Sequence, residues 1–98
     1  MIYVKIYREQ KEFIVAACDE EILGGSFSEG ELKLDVKEDF YMGELMDIDK
    51  IGELLSMATI ANLSGNKVVD KAIELGFIDE ENVLNIAGIK HAQMVLII

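Results

Sequence analysis

The sequence contains no proline and no tryptophan, and it has a single cysteine and a single histidine in 98 residues. One cysteine cannot form an intramolecular disulfide, and Cys18 with His91 falls short of any zinc-type ligand set. A metal would have to be held by carboxylates. Bases are scarce as well, nine Lys and Arg against nineteen Asp and Glu. This imbalance weakens direct nucleic-acid binding, because phosphate contacts depend on Lys and Arg. The apolar runs Phe13 to Cys18 and Met94 to Ile98 are both far below the roughly 20 residues of a membrane-crossing helix. Met1-Ile2-Tyr3-Val4-Lys5 lacks the regions of a signal peptide, so no membrane association and a cytoplasmic location are expected.

What is present suits one compact domain. An apolar fraction of 51% beside a charged fraction of 29% indicates a well-segregated inside and outside rather than disorder. A chain of this length buries roughly 65% of the surface its unfolded form exposes, enough for one core. Acids concentrate in the first half: residues 1–49 hold thirteen acids and five bases, residues 50–98 six and four. An anionic partner would therefore approach the second half.

Ile2, Val4 and Ile6 alternate with Tyr3, Lys5 and Tyr7, the period of a half-buried strand. The polar link from Arg8 to Glu12 is of hairpin length, and Phe13 to Cys18 reads as a second, antiparallel strand. Asp19 is placed to cap a short helix over Glu20-Glu21-Ile22-Leu23, with Gly24 to stop it. Glu31 to Val36 alternates as a third strand, and Phe40 to Leu45 is assigned to a connection. Ile48, Ile51, Leu54, Leu55, Ala58 and Ala61 share one stripe at helical spacing, which predicts a helix running to Ala61. Ser64 is the expected N-cap of another helix, with stripe Val68, Val69, Ala72 and Ile73 and closing Gly76. Asn82 to Ile86 predicts a short strand, Gly88 a turn, and Ala92 to Ile98 a final strand whose apolar Met94 to Ile98 places it centrally. The fold class is α+β: a single domain over residues 1–98, a mixed or mainly antiparallel sheet, two main helices and one short helix.

Cys18 and His91 invite a nucleophile and its base, but the neighbours Val15-Ala16-Ala17 mark Cys18 as a small core residue, and no catalytic residue is assigned. Neither the GxxxxGK[ST] nor the GxGxxG fingerprint is present, and no cofactor or metal is assigned. Leu63-Ser64-Gly65-Asn66-Lys67 carries more information, since a helix start offers free N–H groups to an anion and Gly65 allows close approach. In the stretch Lys90-His91-Ala92-Gln93, strand alternation puts His91 and Gln93 on one face.

The segments Ala58 to Val69, Gly76-Phe77-Ile78 and Gly88 to Gln93, with Cys18 to Gly24 and Phe40 to Glu44, resemble the archaeal family catalogued as domain of unknown function 424. The resemblance implies a small archaeal cytoplasmic protein of mixed α/β structure. It transfers no catalytic residue, and it carries the expectation of a connection with translation. The leading expectation is a noncatalytic binding or adaptor module for a protein or ribonucleoprotein partner, using Ser64, Gly65, Asn66, Lys67, Lys90, His91 and Gln93. The alternative is a small anion-binding protein or enzyme using the Ser64 helix start and His91. A structural assembly subunit is a third reading, and the oligomeric state is left open.

Overall fold

The structure is a computed structural model that describes residues 1–97. Its elements are β1 (Ile2–Glu9), β2 (Glu12–Asp19), β3 (Ser26–Glu29), β4 (Leu32–Asp35), α1 (Glu38–Tyr41), β5 (Glu44–Met46), α2 (Ile51–Met57), β6 (Ile60–Ser64), α3 (Asn66–Glu74), β7 (Leu84–Ile86) and β8 (Ile89–Val95). Six strands form one sheet in the order β5-β1-β2-β6-β8-β7, and β3 pairs with β4 in a separate hairpin. β2 and β6 are parallel, whereas the other neighbours are antiparallel. The mixed sheet with helices packed on it is the α+β class expected from the element order.

Both faces of the sheet are covered, by different material. One face sets Ile2, Val4, Val15, Ala17, Leu63 and Ala92 against Ile51 and Leu55 of α2 and Val68, Val69 and Ala72 of α3. On the opposite face, Ala16, Cys18 and Ile86 meet Leu34 and Val36 of the hairpin and Tyr41 of α1. The period-two pattern of β1 and β2 assigns these faces, since successive side chains point to opposite sides.

The helix expected through Ala61 stops much earlier. A 3₁₀ turn at Ile48–Lys50 leads into α2, which ends at Met57, and Ala58 is already extended (φ −74°, ψ 139°). Thr59 exchanges main-chain and hydroxyl hydrogen bonds with Phe13 of β2, the N–H of each donating at 2.9 Å. These bonds commit Ile60–Ser64 to the sheet as β6, a central strand absent from the expected order. Its Ala61 and Leu63 bury on the helix face, so the same alanine satisfied both the helical stripe and the strand alternation.

The last strand also lies differently. Ala87 and Gly88 have φ values of 52° and 86°, the conformations of a two-residue hairpin turn, and they start β8 at Ile89 rather than Ala92. β8 is next to the edge, because β2 and β6 take the centre. Met94 packs against the helix-face core, but Val95, Leu96 and Ile97 are 63%, 55% and 88% exposed, so the core strand expected from Met94 to Ile98 is overturned from Val95 on; Ile98 lies outside the described residues. Phe40 to Leu45, expected as a connection, supplies the end of α1 and the start of the edge strand β5. β3 was not expected at all, since its sequence Ser-Phe-Ser-Glu has a single apolar residue.

Candidate functional site

The strand registers place Tyr3, Cys18, Ser64, His91 and Leu84 in one row across five strands. Tyr41 reaches down onto this row from α1. Its hydroxyl lies 3.0 Å from Ser64 Oγ, and Ser64 Oγ lies 2.9 Å from His91 Nδ1. The amide nitrogen of Gln93 is 3.4 Å from His91 Nε2. With the Gln93 amide nitrogen donating to Nε2, the matching tautomer is the neutral imidazole that donates its Nδ1–H to Ser64 Oγ. Burial pushes the His91 pKa down, in keeping with a neutral ring. Ser64 is fully buried, and in this tautomer its Oγ accepts the histidine N–H hydrogen bond rather than donating to the ring.

His91 and Gln93, with Asn82, Leu84 and Ala92, line a pocket of about 200 Å³. It opens where β7 begins, at Leu84, beside β8. The walls are uncharged: two carboxamides, an imidazole and aliphatic carbon. This is below the roughly 300–1,000 Å³ of small-molecule sites, and it suits a side chain better than a whole metabolite.

The start of α3 is occupied from within the chain. Asp19, at the end of β2, accepts from the Lys67 N–H at Oδ2 and the Val68 N–H at Oδ1, both at 2.9 Å. Gly65, not Ser64, is the N-cap residue; its φ of +121° suits glycine, and a Cβ there would collide with the Asp19 carboxylate. Asp19 makes no side-chain cap bond to the 3₁₀ turn Glu20–Ile22 that follows it, the role expected from its sequence position. Burial raises the Asp19 pKa, opposed by the two N–H bonds. The Ser64 helix start therefore offers no vacant anion site, since an incoming anion would have to displace this carboxylate.

The two segments singled out by sequence do converge. Gly65 N–H donates to Lys90 O at 2.8 Å, and Asn66 clamps the β7–β8 turn by donating to Gly88 O and accepting from Lys90 N–H. The cations, however, are engaged: Lys67 Nζ lies 3.1 Å from Glu21 and Lys90 Nζ 2.6 Å from Asp70. Ser64 and Gly65 are buried, Asn66 serves the turn, and only His91 and Gln93 of the expected surface face the pocket. Leu84 and Asn82 join them in the pocket wall and Tyr41 lies behind, on Ser64, all from segments whose sequence carried no site signal.

Cys18 neighbours Ser64 in register and is fully buried, with its thiol pushed up to about 12, first by burial and then by the Asp19 charge. Such a thiol is a poor nucleophile at neutral pH. Among the described residues no group of three or more His, Cys, Asp or Glu is placed to hold a metal ion, and no helix is long and apolar enough to cross a membrane.

A family model described as "Protein of unknown function (DUF424)" matches residues 7–97. The chain belongs to this family. Among solved structures, the crystal structure of an uncharacterized conserved protein from Methanopyrus kandleri is similar at 24% identity, with a TM-score of 0.77. The match covers 95% of this chain and 89% of that one, and it shows a shared fold. No curated protein matches the sequence. For this family member the fold is thus supported by likeness, while the site rests on its own geometry.

Proposed function

We propose that this protein is a noncatalytic binding module that recognises a protein partner through the His91 pocket. The observation that carries the reading is the Tyr41–Ser64–His91 chain of hydrogen bonds, which ends at an uncharged pocket large enough for one partner side chain. Each link holds the next, so the imidazole meets a ligand in one orientation with little left to order on binding. Leu84, 48% exposed, adds an apolar wall, and the Asn82 and Gln93 carboxamides add neutral donors and acceptors.

Lys67 and Lys90 are neutralised by Glu21 and Asp70, which favours a protein contact over a phosphate contact. Where the partner belongs to a ribonucleoprotein, as a connection with translation expects, this module would hold its protein part. The test is capture of partners from a cytoplasmic extract of cells that contain the protein, by wild type and variants. His91→Ala and Leu84→Lys should lose the captured set, and Lys67→Ala should keep it. Capture that is indifferent to the first two, or that collapses steeply with salt as phosphate contacts do, would overturn the reading.

A further inference from the structure

β8 pairs with β7 only over Ile89, Lys90 and His91, whereas β6 accompanies it from His91 to Val95. In an antiparallel ladder, alternate residues turn their N–H and C=O to alternate sides. Leu96 N–H donates to Thr59 O and Lys90 O accepts from Gly65, so Lys90, Ala92, Met94 and Leu96 face β6. His91 faces Leu84 of β7. The main-chain groups of Gln93 and Val95 face the same way and meet no strand among the described residues. This free edge begins at the pocket, and Gln93 belongs to both.

Sheet edges are ordinarily blunted by lysine, proline, a charge or a bulge. From Ala92 to Ile97 this edge has no charged residue and no proline, and Val95 and Ile97 are exposed. At the pocket end, the 3₁₀ turn Glu80–Asn82 brings Asp79, Glu80 and Glu81 up to the pocket residue Asn82. None of these three acids takes part in an ion pair among the described residues. The edge is thus uncharged along its length, apolar beyond Gln93 and acidic at one end.

Building on the binding-module reading, we infer that the β8 edge beyond β7 takes one extended segment of a partner protein as an added strand. Its main chain pairs with Gln93 and Val95, one side chain enters the His91 pocket, and basic residues lie against Asp79, Glu80 and Glu81. Such addition draws affinity from main-chain bonds and specificity from alternate side chains. The charge pattern selects a partner over a second copy, since each copy carries a net charge of −10. A stable homodimer also needs about 20–30 residues a side, far more than this short edge offers.

The experiment uses the full ¹⁵N-labelled chain and a synthetic nine-residue peptide of alternating valine and threonine, ended by two lysines. The lysine-ended peptide should slow hydrogen exchange of the Gln93 and Val95 amides at least tenfold at saturation. A version ended by two glutamates should bind at least tenfold more weakly, and N-methylation of alternate peptide nitrogens should abolish binding without altering the protein. Equal binding of the two peptides, protection confined to α2 or α3, or no protection at Gln93 and Val95 overturns the inference. So does light scattering that finds a dimer with those two amides already protected, the second-copy outcome. If Leu84→Lys still abolishes partner capture while Gln93 and Val95 stay unprotected, strand addition falls and the pocket reading stands. If capture ignores both Leu84→Lys and His91→Ala, the pocket reading itself falls.

Discussion

Replacing Asp19 by alanine tests whether one carboxylate joins the two halves of the fold. The side chain is 3% exposed and accepts two main-chain N–H bonds from Lys67 and Val68. Hydrogen bonds to a charged group contribute about 1.5–3 kcal/mol each, and loss of an N-cap alone costs about 0.5–2 kcal/mol. Against this stands the desolvation that raises the Asp19 pKa, a cost the alanine variant no longer bears. A net loss of about 2–3 kcal/mol is expected, corresponding to a fall of roughly 10–20 °C in Tm for a domain of this size.

The pH dependence has a definite sign. A carboxyl whose folded pKa is raised is protonated more readily in the native state than in the unfolded chain. Its contribution is full below the unfolded pKa of about 3.9 and is lost as pH rises through the folded value. The cost of Asp19→Ala should therefore be larger in acid than at pH 7. Urea unfolding followed by circular dichroism at several pH values measures both quantities. A change under about 0.5 kcal/mol at pH 7, the size of an ordinary surface substitution, would refute the joining role.

Ser64→Ala should cost about 1–3 kcal/mol, because Tyr41 Oη and His91 Nδ1 each lose a buried partner, and chemical denaturation checks this. His91, whose folded pKa is depressed, should stabilise above about pH 6.5 and lose that contribution as pH falls through the folded value; His91→Gln should remove this slope from the stability profile. Cys18, buried and with a thiol pushed up to about 12, should resist iodoacetamide at pH 8 in the native protein and react on unfolding, as mass spectrometry would show. Leu63→Ala in β6 should cost about 2–5 kcal/mol, whereas Ile97→Ala should stay within about 0.5 kcal/mol, a contrast read from paired thermal melts.

The patterns of β1, β4 and α3 were legible because their apolar residues recur at the period of the element, and the buried ones, Ile2 and Val4, Leu34, and Val68, Val69 and Ala72, fall where that spacing puts them. Ile60–Ser64 was not, because Ala58 and Ala61 fit a helical stripe while Ala61 and Leu63 fit a strand. The choice between them was made by Phe13, forty-six residues away, through its bonds with Thr59. Apolarity likewise misplaced Val95 to Ile97. A run of aliphatic residues signals burial only if the fold has a covered position to receive it, and the covered central positions were filled by β2 and β6.

The candidate site divides along the same line. Ser64 and His91 could be singled out in the sequence, one at a loop before a helix and the other as the sole histidine. That they touch, with Tyr41 behind and Leu84 beside them, depends on the register of five strands. Composition and local periodicity by themselves determined a single α+β domain, the helix after Gly65 and the absence of a zinc-type or disulfide framework, because these follow from residue identity and near neighbours. Tertiary structure alone decided that Asp19 fills that helix start, that the lysines are paired, and that His91 faces a pocket at a free sheet edge. The Asp19 and lysine contacts join residues about twenty to fifty positions apart, and the pocket depends on where β8 settles in the sheet, so no local pattern encodes either.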